Sequence, residues 1–114
     1  MTAGAILTSG VMVSRSLLGK AEEAAQFLTV MGNPKRLAIM SHLLHAEMSV
    51  GAIAAKVDLS QSALSQHLAK LRGMGLVETR RERQMIYYSS NSQPARTLLV
   101  ALDGIFREEP PPAP

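Results

Sequence analysis

Between residues 20 and 106 the apolar positions fall at helical spacing, change to strand-like runs, and return to helical spacing at the end. Lys20 to Met31 carries Ala21, Ala24, Leu28 and Met31 at steps of three, four and three, which places them on one side of a first helix. Gly32-Asn33-Pro34 stops it. Asn33 suits an N-cap, and Pro34 suits the first turn of the next helix, where its missing amide hydrogen costs nothing. That second helix runs to about His45, with Leu37, Met40 and Leu44 on one stripe and Ile39 and Leu43 beside it. Ser49 caps a short third helix bearing Val50, Ile53, Ala54 and Val57. After a break at Asp58-Leu59, Ser60 caps a fourth helix whose stripe is Leu64, Leu68 and Leu71 and which ends where Gly73 and Gly75 permit left-handed backbone.

Two short helices joined by a tight turn are the helix-turn-helix signature. Beyond Gly75, Leu76-Val77-Glu78-Thr79 and Met85-Ile86-Tyr87-Tyr88 read as two strands separated by the charged Arg80-Arg81-Glu82-Arg83-Gln84, a hairpin or wing. Gln93-Pro94 opens a last helix in which Leu98, Leu99, Leu102, Ile105 and Phe106 cover more than one face, so it needs a second apolar partner. Residues 1–19 mix small apolar and polar types without a period, and residues 108–114 are dominated by prolines. Both ends are expected to lack regular structure. The expected domain spans residues 20–107: mainly α with a small β-hairpin, a winged helix-turn-helix of order ααααββα.

Composition narrows the function. A chain of 114 residues has room for one domain, and alone it buries only about two-thirds of its unfolded surface, so a shared dimer core would help it. The net charge is +3, and the stretch from Lys56 to Gln84 holds all of that excess: Lys56, Lys70, Arg72, Arg80, Arg81 and Arg83 against Asp58, Glu78 and Glu82. Such clustering points to a polyanionic partner. The absence of cysteine excludes disulfides, thiolate metal sites and thiol redox sensing. No basic n-region marks a secretory signal and no uninterrupted apolar run is long enough to span a membrane, so a cytoplasmic location is expected. With no glycine-rich phosphate loop and no carboxylate pair inside an apolar run, an enzyme is not expected, nor is a cofactor.

On a helical wheel the residues opposite Leu64, Leu68 and Leu71 are Ser62, Gln66 and Ala69, flanked by Ser65 and Lys70. Short hydroxyls and carboxamides can exchange hydrogen bonds with base edges in a major groove, and Gln61 in the first turn reaches forward too. The bland alternative is a merely solvated face. Against it, residues 60–65 include three serines and no acid, whereas a helix chosen for stability favours Glu, Lys and Ala. Arg80, Arg81, Arg83 and Gln84 on the wing, with Lys70 and Arg72, can neutralise phosphates or enter a minor groove, although an arginine-rich turn by itself is usually only solvated. His67 lies at the edge of the apolar stripe, where an imidazole packs against the protein as readily as it contacts a base. His42, His45 and Glu47 offer a metal- or small-ligand-responsive alternative, but two histidines at a helix end also suit the helix dipole. Of Tyr87 and Tyr88, at most one can be free to stack, because neighbours in a strand face opposite ways.

Four stretches carry a further signal: residues 31–39 (Met-Gly-Asn-Pro-Lys-Arg-Leu-Ala-Ile), residues 48–54, residues 59–68 (Leu59-Ser60-Gln61-Ser62-Ala63-Leu64-Ser65-Gln66-His67-Leu68) and residues 71–77 (Leu71-Arg72-Gly73-Met74-Gly75-Leu76-Val77). In these the chain resembles the ArsR/SmtB winged-helix repressors over residues 27 to 106. The resemblance implies a homodimer packed through its first and last helices, with Ala24, Leu28, Leu98, Leu102, Ile105 and Phe106 at the interface, on a roughly palindromic double-stranded DNA operator. It also implies base-reading roles for Gln61, Ser62, Ser65, Gln66 and His67, and phosphate or minor-groove roles for Lys70, Arg81, Arg83 and Gln84. Metal-sensing members carry Cys-Val-Cys where this chain has Ser49-Val50-Gly51, and zinc-sensing members pair Asp with His on the last helix, where Asp103 has no histidine between Arg96 and Arg107. No metal effector is therefore expected. Arg83 stands where the family's wing usually has glycine, which leaves the turn type open.

Overall fold

Side-chain caps fix most helix starts. The computed structural model describes residues 5–8 and 11–108. It begins with strands β1 (Ala5–Thr8) and β2 (Val11–Ser14), an antiparallel hairpin, followed by the short helix α1 (Arg15–Gly19). Regular structure was not expected in this segment, whose sequence shows no period; Ser14 nevertheless caps α1 by accepting from the Leu17 amide at 3.0 Å. Beyond Glu108, the proline-rich tail lies outside the described residues.

Helix α2 covers Ala21–Met31 and ends at Gly32, where a Cβ would lie 2.9 Å from the Leu28 carbonyl oxygen. Helix α3 covers Pro34–His45, as the pattern predicts, with the Asn33 side chain accepting from the Lys35 and Arg36 amides at 2.9 and 3.1 Å. Such a cap is worth about 1 kcal/mol. Strand β3 is only Met48–Ser49 and was missed from sequence because two residues have no period. Helix α4 (Val50–Val57) starts with the Ser49 hydroxyl accepting from the Ala52 amide, and stops at Asp58 in left-handed backbone (φ 55°). Helix α5 (Gln61–Gly73) is capped by Ser60 and closed by Gly75 at φ 70°, where the Leu76 amide turns back to the Leu71 carbonyl at 3.0 Å.

The wing consists of β4 (Glu78–Glu82) and β5 (Met85–Ser89), and the chain ends its regular structure in α6 (Gln93–Phe106), capped by Ser92. The expected ααααββα core order is present, extended by the N-terminal hairpin and α1 and by β3. The strands are displaced from the expected ones: Leu76 and Val77 are core residues ahead of the sheet, and Arg80, Arg81 and Glu82 lie within a strand. Pairing with the apolar β5 overrides their polar character. Strand order is β3-β5-β4, antiparallel, with Met48 opposite Tyr88 and Arg81 opposite Ile86.

One core joins these elements. Met31, Ile39, Met40 and Leu43 meet Ile53 and Val57 of α4, Leu64, Leu68 and Leu71 of α5, then Leu76, Val77 and Ala95. Buried Ser90 fastens the wing to it: its hydroxyl donates to the Leu76 carbonyl at 2.6 Å while its amide donates to the Leu43 carbonyl at 3.1 Å. Among the described residues no helix is long and apolar enough to cross a membrane.

Candidate nucleic-acid interface

With Leu64, Leu68 and Leu71 buried, α5 presents Gln61, Ser62, Ser65, Gln66, Ala69, Lys70 and Arg72 to solvent. The first turn has no acidic side chain, and Lys70 and Arg72 lie in the last. A polyanion thus meets free amide hydrogens at one end of the helix and cations at the other. His67 differs from its neighbours: it is half-buried, and its Nδ1 accepts from Arg36 Nε at 3.1 Å. Burial, and after it the charges of Arg36, Lys70 and Lys35, holds its pKa below the ordinary imidazole range. A histidine that disfavours its proton in the folded state binds more protons unfolded, so its contribution to stability is present above the unfolded pKa of about 6.5 and is lost as pH falls below it.

The wing arginines divide by strand alternation. Arg81 sits across from Ile86, and cross-strand partners share a face. Ile86 lines a cleft of about 360 Å³ together with Ser49, Val50, Gly51, Gln61, Gln84 and Met85, so Arg81 lies on the face turned toward α4 and the start of α5. Arg80 faces the other way and is engaged within the protein. Its Nη2 and Nε donate to the Glu47 carboxylate at 2.8 and 3.1 Å, its Nη1 donates to Glu82 at 3.1 Å, and its guanidinium lies 4.8 Å from the Tyr87 ring centre. The bonds from Arg80 hold the Glu47 carboxyl below its usual range. Tyr88 packs against the core, so both tyrosines are occupied.

Arg83 and Gln84 form the two-residue turn between Glu82 and Met85, both exposed. Arg83 adopts φ 59°, a conformation that costs a non-glycine residue about 1–2 kcal/mol. Arg83→Gly should therefore raise unfolding free energy by up to about 1 kcal/mol after the loss of chain entropy. If Arg83 meets a phosphate, the same variant flattens the slope of log affinity against log salt by about 0.9. Denaturant melts and salt titrations read the two effects separately.

His42, His45 and Glu47 do not form a metal cluster. Glu47 is committed to Arg80, His42 and His45 occupy the last turn of α3, and among the described residues no three His, Cys, Asp or Glu side chains come together in a way that could hold a metal. The Ser49 hydroxyl caps α4, and Asp103 reaches Arg107 at 4.0 Å. Neither position resembles the thiolate or imidazole donor set of a metal sensor.

A family profile described as "Bacterial regulatory protein, arsR family" matches residues 33–79. The nodulation protein NolR of Rhizobium meliloti is 57% identical over 89 residues, covering 78% of this chain and 73% of that protein. The chain belongs to the ArsR family. The transcriptional activator HlyU of Vibrio cholerae is 43% identical (74% and 78% covered), and the biofilm growth-associated repressor of Agrobacterium fabrum is 41% identical (76% and 74% covered). The crystal structure of NolR from Sinorhizobium fredii superposes with a TM-score of 0.77 at 54% identity, covering 85% of this chain and 97% of that one.

This ArsR-family chain is thus a DNA-binding transcriptional regulator with a winged helix fold. Sequence reasoning missed the roles of Lys35 and Arg36. Lys35 Nζ donates to the Val57 carbonyl at the C-terminus of α4 at 2.6 Å, and Arg36 Nη1 donates to the Val30 carbonyl near the end of α2 at 3.2 Å. It missed Glu47 as the partner of Arg80, and Val100, which is 67% exposed on α6. Of the residues expected at a dimer interface, Leu28, Ile105 and Phe106 are 56, 68 and 77% exposed, Ala24 and Leu102 are half-buried, and Leu98 packs against this chain's own core.

Proposed function

We propose that this chain is a cytoplasmic, homodimeric repressor that reads a roughly palindromic operator with α5 in the major groove and the wing beside it. The observation that carries the reading is the exposed Ser62–Ser65–Gln66–Lys70 surface backed by a wholly buried leucine stripe. Half-sites about 34 Å apart suit a two-fold dimer. The exposed Leu28, Val100, Ile105 and Phe106, with an open groove of about 710 Å³ between α3 and α6 lined by Leu37, Leu44, Leu99 and Leu102, support dimerisation through the N-terminal and last helices. Relatives include both a repressor and an activator. Repression is favoured because a dimer lying on an operator blocks access to it by occupancy. Likeness to NolR supports nodulation genes as targets.

Selection of bound sequences from random DNA tests this directly: an inverted repeat should emerge, and enrichment of no motif at all would reject it. Gln66→Ala should cost about 1–3 kcal/mol at particular base pairs, whereas Arg81→Ala should weaken all sequences alike and flatten the salt slope by about 1. Arg80→Ala, by contrast, should leave the salt slope unchanged, since that guanidinium is held by Glu47 and Glu82.

A further inference from the structure

Four consecutive residues ahead of the helix-turn-helix each hold a different part of it. Asn33 caps α3, Pro34 starts it, Lys35 reaches the last carbonyl of α4, and Arg36 joins α2, α3 and α5 by bonding both the Val30 carbonyl and His67. Arg36 is the member that touches the DNA-reading helix, and it does so through a side chain that sequence reasoning assigned to base contact. An arginine guanidinium only donates, so the nitrogen facing it must be unprotonated and the imidazole carries its hydrogen on Nε2.

We propose that Arg36 and His67 are a positioning pair: Arg36, anchored on the end of α2, grips the neutral imidazole of His67 and so sets how α5 is seated for reading DNA. The proposal rests on α5 being the reading helix. His67 follows Gln66 directly and sits midway between the buried Leu64 and Leu71, so a change in its seat tilts the residues that face the groove. An imidazolium could not accept the Arg36 bond. It would also place a positive charge among Arg36 and Lys35 of α3 and Lys70 of α5, the charged groups that face it. A base or phosphate contact predicts the opposite response, because a protonated histidine near DNA gains affinity.

The test is operator binding by the full chain, on the sequence obtained by selection and on unrelated DNA, between about pH 7.5 and about pH 5. As the pH falls, the ratio of specific to non-specific affinity should drop about tenfold, the size of one lost charge-assisted hydrogen bond. His67→Asn, whose Oδ1 can replace Nδ1 as acceptor, should keep the ratio at pH 7.5 and lose its pH dependence. His67→Leu should lower the ratio about tenfold at every pH with non-specific binding unchanged. A ratio that rises on acidification, or His67→Asn altering preference at a single base pair, overturns the positioning role in favour of base contact. Nitrogen chemical shifts of the wild-type imidazole at pH 7.5 provide a readout independent of folding in the variants: the Nε2–H tautomer is expected, and an Nδ1–H tautomer or a charged ring overturns the proposal. Absence of any specific binding at any pH would instead reject the DNA-reading role of α5, and is separable from these outcomes.

Discussion

Leu64→Ala should destabilise the protein by about 3 kcal/mol, within the range of about 2–5 kcal/mol for truncating a leucine in a closed core. Leu64 is fully buried at the N-terminal end of the α5 stripe, in the core that α5 shares with α3 and α4. Its removal leaves a cavity beneath the helix that carries Ser62, Ser65 and Gln66. Total stability of domains this size is about 5–15 kcal/mol, so the change should be plain as a lowered denaturation midpoint in urea. Gln66→Ala, on the solvent side of the same helix, should shift that midpoint by no more than about 0.5 kcal/mol equivalent. A small effect of Leu64→Ala would mean that α5 is not seated as described.

Phe106→Glu should break the proposed dimer. Phe106 is 77% exposed at the end of α6, beside Ile105 and the α3–α6 groove. Burying such a side chain is worth about 1.5–3 kcal/mol, and a two-fold interface counts each substitution twice. The loss of about 3–6 kcal/mol corresponds to about 10²–10⁴ in the dimer dissociation constant. Sedimentation at micromolar concentration should show a monomer, with operator affinity falling in parallel while each chain stays folded. A variant that remains dimeric with unchanged affinity would place the interface elsewhere.

Legibility in the sequence followed locality. The bounds of α3, α4 and α5 could be read because Asn33, Ser49 and Ser60 are caps acting over two or three residues, and because Pro34 and Gly75 have few alternative uses. The buried stripe of α5, and with it the exposed face opposite, followed from the same 3.6-residue period. The wing was legible as a hairpin but not in extent: Arg80, Arg81 and Glu82 look like loop residues until register against Met85–Tyr87 makes them strand. What stayed hidden joins distant positions. Glu47 and Arg80 are separated by 33 residues, Arg36 and His67 by 31, and no local pattern marks either pair. These contacts engage two residues whose chemistry pointed to DNA: Arg80 pairs with carboxylates, and His67 with an arginine.

The two-residue strand Met48–Ser49, with Ser90 behind it, bears on the thermodynamics of association. It hydrogen-bonds the returning strand of the wing directly ahead of α4, so helix-turn-helix and wing form one piece before DNA arrives. Ordering a loose hairpin would cost about 0.5–1.5 kcal/mol for each side chain immobilised. A wing already fixed at its root avoids most of that cost. Encounter is then governed by orientation and by the basic surface steering toward the duplex rather than by a folding step, leaving the association rate strongly dependent on ionic strength.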